Sequence, residues 1–85
     1  MANQRYDVLL TVQYDYDPNN TYYEVVTYEA ADENQALGYA RRSKAKKRLV
    51  VAQNASVCVI KYAQPAGNFD HLIGRRVGYS MLDFL

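Results

Sequence analysis

The residues of this chain best suited to chemistry form one short basic run. Six of the eight residues over 41–48 are Arg or Lys, and such side chains bind phosphates and carboxylates. On a helical wheel at ~100° per residue, four of them lie on or beside the solvent side: Arg41, Arg42, Lys46 and Arg48. We predict that these four, with Arg75 and Arg76 further along the chain, bind an anionic partner. The alternative is an ordinary solvated helix end.

The sequence contains few residues suited to catalysis. A nucleophilic mechanism needs a serine or cysteine near a histidine, but the chain has one histidine, His71, and one cysteine, Cys58. Cys58 lies in the most apolar segment, where a structural cysteine is expected. Adjacent side chains on an extended segment point in opposite directions, which argues against an acid–base pair of Asp70 and His71. We therefore predict a non-enzymatic protein with no catalytic residue, no metal site and no cofactor.

Length and charge indicate one domain with an oriented binding surface. The chain has 85 residues and a net charge of +1, so we expect a single domain over 1–85. Residues 1–33 hold one basic and seven acidic side chains, whereas residues 34–85 hold nine basic and two acidic ones. No apolar run approaches the ~20 residues of a membrane-spanning helix, and the first 20 residues contain no secretory apolar region. We expect a cytoplasmic protein without membrane contact.

Two predicted strands precede the basic run in the chain and help to position it. Apolar and polar residues alternate over 6–16, which predicts a strand with one buried face. A turn at 17–20 leads to a second strand over 21–29, rich in Tyr, Val and Thr. The sequence leaves open which face of this strand is buried. We expect a long antiparallel hairpin with Glu24 near a sheet edge or in solvent.

A helix and a third strand complete the predicted fold. Asp32 and Gln35 form a capping box, and we expect the helix to run from there to Arg48 with Ala36, Ala40 and Ser43 against the sheet. Residues 56–62 are apolar on both faces, which predicts a central strand, and residues 49–51 are a candidate fourth strand. The fold class is α+β, a small antiparallel sheet of three to four strands packed by one helix in β-β-α-β order. The compact part covers about 5–63 and a C-terminal extension covers 64–85.

The strand that runs into a capped helix over residues 23–37 resembles small phage-encoded inhibitors of the anti-CRISPR kind. The resemblance is one of size and pattern over roughly residues 6–62; the class shares no motif, so no functional residue is carried over. It implies a protein that blocks the nucleic-acid path of a host complex. Many members are strongly acidic, whereas this chain has a net charge of +1. The resemblance therefore implies that the basic helix grips an acidic patch or nucleic acid already held in a complex.

Three functions remain open on the sequence alone. Our first expectation is a binding protein that occupies a surface of a larger protein or protein–nucleic-acid complex. The second is a direct RNA- or DNA-binding module that uses the basic helix and exposed tyrosines, of which the chain has nine. The third is a homodimer formed by edge-to-edge pairing of the tyrosine-rich hairpin.

Overall fold

The computed structural model describes residues 3–49 and 54–77 and contains the predicted α+β fold. The elements are β1 (Gln4–Tyr14), β2 (Thr21–Ala30), α1 (Glu33–Ala45) and β3 (Ala55–Pro65). The three strands form one antiparallel sheet in the order β2-β1-β3. The fourth strand predicted over 49–51 lies mostly outside the described residues.

Strand β1 is the centre of the sheet and is buried on both faces. Val8, Leu10 and Val12 have no exposed surface on the face that packs against α1, and Asp7 and Leu9 are each 4% exposed on the opposite face. The strand ends at Tyr14, two residues before the predicted end. Asp15 and Tyr16 have φ values of 56° and 55°, and left-handed backbone cannot continue a strand.

The prediction of a central strand over 56–62 is wrong, because β3 is an edge strand. On the face away from α1, Val57, Val59 and Tyr62 are 45%, 40% and 64% exposed. Leu10 pairs with Ile60, but its neighbour Leu9 pairs with Tyr62, so Lys61 is an extra residue that forms a bulge. Because of this bulge, even-numbered residues of β3 face the helix over 57–60 and odd-numbered residues face it after Lys61. Bulges and lysines are features by which edge strands avoid pairing with other chains. A strand with apolar residues on both of its faces therefore need not be a central strand with a neighbouring strand at each edge.

The face of β2 that the sequence left open is settled by its register with β1. Val26 pairs with Val8 and Tyr28 with Tyr6, so the even-numbered residues of β2 lie on the helix side. Glu24 is on this side too, on an edge strand as expected, where it accepts a hydrogen bond from the Tyr14 hydroxyl at 3.4 Å.

The predicted cap begins α1, but the helix is shorter than predicted. Asp32 accepts a hydrogen bond from the Gln35 amide at 2.7 Å, and the Gln35 side chain accepts one from the Ala31 amide at 2.7 Å. The helix ends at Ala45, not at Arg48. Lys47 adopts φ 57°, and the Arg48 amide donates to the Ser43 carbonyl at 2.7 Å. This is a Schellman turn with lysine where glycine is usual, and it stops the helix three residues early.

Residues 66–77, part of the predicted C-terminal extension, cross the sheet face opposite α1. The Gly67 amide donates to the buried Asp7 carboxylate at 3.0 Å, and Thr27 donates to the same carboxylate at 2.7 Å. Phe69 is 6% exposed. Beyond it, the Tyr23 amide donates to the Arg75 carbonyl at 2.9 Å. The segment therefore ends along the outer edge of β2.

Replacing Gly38 by alanine should stabilise the protein. Gly38 lies within α1, and a Cβ added there would meet no atom within 4 Å beyond its own stretch of helix. Glycine in a helix interior costs about 1 kcal/mol relative to alanine, so the substitution should raise the melting temperature by about 4–8 °C. Thermal unfolding followed by circular dichroism measures this shift; a lower melting temperature would show that Gly38 is needed for a contact or a bend.

Candidate functional site

A groove runs along one flank of the C-terminal half of α1. Its volume is about 410 Å³. We call it the basic groove, and it is lined by Tyr28, Tyr39, Arg42, Ser43, Lys46 and Arg48. These residues bring cations and aromatic rings together at the surface, and none of them is acidic.

The helix period explains how the groove forms. Tyr39, Arg42 and Lys46 recur at spacings of three and four residues, which places them on one flank of α1. The turn that stops the helix folds Arg48 back toward the same flank through its bond to Ser43. Tyr28 of β2 also lines the groove, and its ring centroid lies 6.1 Å from that of Tyr39 with the planes tilted by 41°.

The groove is electrostatically suited to an anion. The guanidinium carbon of Arg42 lies 5.0 Å from the centre of the Tyr39 ring, a cation–π contact that orients the side chain. Arg42, Lys46 and Arg48 are all exposed. Arg42 and Lys46 are four residues apart on a helix, where like charges repel by a few tenths of a kcal/mol. A bound anion would relieve this repulsion.

The structure divides the six predicted site residues into three groups. Arg42, Lys46 and Arg48 line the groove. Arg41 is exposed but lies on a different flank of α1 from Arg42, since successive residues are rotated by ~100° about the helix axis. Arg75 and Arg76 lie elsewhere: Arg76 pairs with Tyr22, and its Nε donates to the Asn19 carbonyl at 2.7 Å.

Distance separates this last pair from the groove. Tyr22 is six residues from Tyr28 along β2, and six residues of strand span roughly 20 Å. Arg75 and Arg76 therefore cannot contact the same small ligand as the groove cations.

Sequence reasoning missed three residues of the groove, Tyr28, Tyr39 and Ser43; Ser43, which was predicted to lie against the sheet, is half-buried and also lines the groove. For Tyr39 a signal was available, because it precedes Arg42 by three residues and Lys46 by seven on the same helix. Tyr28 gave no such signal. Its place in the groove depends on which face of β2 is buried, and pairing with β1 decides that.

Over residues 3–49 and 54–77, no three His, Cys, Asp or Glu side chains are grouped to hold a metal ion. Asp70 and His71 are both exposed in the segment after β3. Among the described helices, none is long and apolar enough to cross a membrane.

Cys58 should react slowly with alkylating reagents in the folded protein. It is half-buried on β3, and burial raises the pKa of its thiol although Lys44 acts in the opposite direction. The reactive thiolate should therefore form at higher pH than in the unfolded chain, where the pKa is about 8.5. Because the raised pKa favours the neutral thiol, Cys58 contributes stability below about pH 8.5 that is lost as the pH rises through the folded pKa.

The rate of iodoacetamide labelling against pH, with and without denaturant, measures this difference. We expect the native profile to be displaced to higher pH and slower at pH 7.5. Equal rates in the two states at pH 7.5 would contradict the burial of Cys58, and Cys58→Ser controls for labelling elsewhere.

Comparison with known proteins finds no match to the chain among family models, curated proteins or solved structures. Function is therefore inferred from the basic groove and the surrounding charge.

Proposed function

We propose that this chain is a non-enzymatic binding protein that occupies a surface of a larger macromolecular partner. The partner is a protein or a protein–nucleic-acid complex. The chain acts in the cytoplasm as an inhibitor of the anti-CRISPR kind; as a phage-encoded protein it would act in the cytoplasm of the host. The basic end of α1 is the proposed contact surface, with Arg41 beside the basic groove.

The observation that supports this proposal most is the exposure of every cation at the end of α1. All six are exposed: Arg41, Arg42, Lys44, Lys46, Lys47 and Arg48. The side chains that α1 buries in the core are small, Ala36 and Ala40, so the helix packs on the sheet without using any of these charges. The helix dipole favours some positive charge at a helix C-terminus, but six like charges also repel one another, and an anionic partner surface accounts for so high a concentration. Arg75 and Arg76 would form a second, separate contact.

The alternative is direct binding of RNA or DNA by the free protein. The arrangement that favours it is the presence of Tyr28, Tyr39 and a ring-stacked Arg42 among the groove cations, since bases stack on tyrosine and arginine. Against it stands the net charge of +1, with seven acidic residues in the first 33. A protein this close to neutral attracts free nucleic acid weakly.

A pull-down of the tagged chain from candidate host lysate, with and without nuclease, tests the proposal. We expect a complex that survives nuclease and moderate salt, because a protein partner anchors it. Arg42→Glu with Lys46→Glu should remove the complex. The matched control, Arg5→Glu with Lys61→Glu, reverses two exposed charges outside the basic end and should retain it. A complex lost on nuclease treatment, or lost equally in both variants, would contradict the proposal.

A further inference from the structure

The lining of the basic groove combines two kinds of group that one ligand can satisfy together. Arg42, Lys46 and Arg48 supply hydrogen-bond donors and positive charge, which bind phosphate. Tyr28 and Tyr39 supply planar apolar surface beside them. The groove has a volume of about 410 Å³ and is largely open to solvent. A ligand that carries both a phosphate and a planar ring uses the whole lining.

We infer that the basic groove binds a single unpaired nucleotide, with its phosphate among the three cations and its base against the aromatic lining. This inference rests on the proposed function: the nucleotide belongs to nucleic acid that the partner complex holds and protects from nuclease, leaving this one nucleotide accessible to the groove. It goes further by naming the ligand class and by separating the groove flank of α1 from Arg41.

The ring geometry restricts where the base can lie. The Tyr28 and Tyr39 rings are 6.1 Å apart and tilted by 41°, too close and too inclined to admit a base between them. Arg42 already lies over the Tyr39 ring. The planar groups left for stacking are the Tyr28 ring and the Arg42 guanidinium, both of which stack well with bases.

An acidic peptide is the competing ligand, and it explains less of the groove. Carboxylates need the cations alone, so the two tyrosines would have no role in recognition. A patch of carboxylates on a protein surface would also gain as much from Arg41 and Lys44 on the other flank of α1 as from the groove side. A ligand that also carries a planar ring would bind the groove flank of α1 in preference to the flank with Arg41 and Lys44, because the two tyrosines lie on the groove side.

The probe is AMP, compared with adenosine and inorganic phosphate, in NMR titrations of the full chain at low salt. We expect AMP to bind about tenfold more tightly than either of its halves and to shift the amide signals of Tyr39, Arg42 and Ser43. Arg42→Gln should weaken AMP about tenfold. The matched control Arg41→Gln makes the same charge change one residue away and should leave AMP binding unchanged.

A second variant separates base from phosphate. Tyr28→Leu keeps apolar bulk against the core and should lower AMP affinity toward that of phosphate, because only the Arg42 guanidinium is left to stack on the base, while phosphate binding is unchanged. A thermal melt checks its folding; should it unfold, the Arg41 and Arg42 variants, which change exposed side chains, still decide the matter.

Three results would overturn the inference: AMP no tighter than phosphate, equal weakening by Arg41→Gln and Arg42→Gln, or a tetraglutamate peptide that binds more tightly than AMP. Failure here is distinguishable from failure of the proposed function. A nuclease-resistant complex without AMP binding would contradict only the inference that the groove binds a nucleotide. AMP binding without such a complex would contradict only the proposed partner complex.

Discussion

Changing Arg41, Arg42, Lys46 and Arg48 together to glutamate should abolish partner binding without unfolding the protein. Each reversal replaces attraction to an anionic surface by repulsion, and charged pairs at such contacts are worth a few kcal/mol when removed. We expect at least a 100-fold loss of affinity, or about 2.7 kcal/mol. Quantitative pull-down or calorimetry with the isolated partner measures the loss.

Folding should survive these four substitutions because all four side chains are exposed. Negative charge at a helix C-terminus is unfavourable by up to about 1 kcal/mol per residue, but the new glutamates also pair with Lys44 and Lys47. The corresponding four-glutamine variant removes the charge without adding negative charge, and it should lose the partner as well. Retained binding in the glutamine variant would assign the contact to another surface.

Ala40→Arg should destabilise the protein severely. Ala40 has no exposed surface and belongs to the cluster in which α1 packs on the sheet. An arginine there overpacks the interface and places a charge among apolar side chains, which costs about 3 kcal/mol or more. A domain of this size has a total stability of about 4–13 kcal/mol, so the loss is a large fraction of it.

The measurement is the thermal midpoint, which should fall by more than about 12 °C. Ala45→Arg is the matched control: the same change on the same helix, at an exposed position, should alter stability by less than about 0.5 kcal/mol. An Ala40→Arg variant that melts like the parent would show that α1 does not pack through this face.

The parts of the fold that the sequence predicted are those fixed by local interactions. The alternation over β1 and the cap formed by Asp32 and Gln35 depend on residues within a few positions of one another, and both are present. The end of the helix was missed because it depends on Lys47 adopting a left-handed conformation that lysine does not favour.

The order of the strands was not available from the same reasoning. Residues 56–62 have the composition of a central strand, yet strand order is decided by which strands pair across the whole chain. Here β1 is the strand with β2 on one side and β3 on the other. The buried Asp7 was missed for a similar reason, since the groups that satisfy it, Thr27 and the Gly67 amide, lie 20 and 60 residues away.

The candidate site was predicted in its charges but not in its shape. Clustering of basic residues over 41–48 is visible in the sequence, and three of the predicted residues, Arg42, Lys46 and Arg48, meet in the groove. Arg75 and Arg76 lie apart from the groove because the segment after β3 joins the sheet at Tyr22, a position that local sequence does not determine.

The central claim is that the basic end of α1 binds an anionic surface within a larger complex rather than free nucleic acid. Its most direct test is the affinity of the isolated protein for a labelled single-stranded oligonucleotide at physiological salt. We expect binding no tighter than ordinary nonspecific association, ~10⁻⁴–10⁻⁶ M, which is consistent with one weakly held nucleotide. A submicromolar shift that is lost in the four-glutamate variant, with a steep dependence on salt, would contradict the claim and establish direct nucleic-acid binding instead.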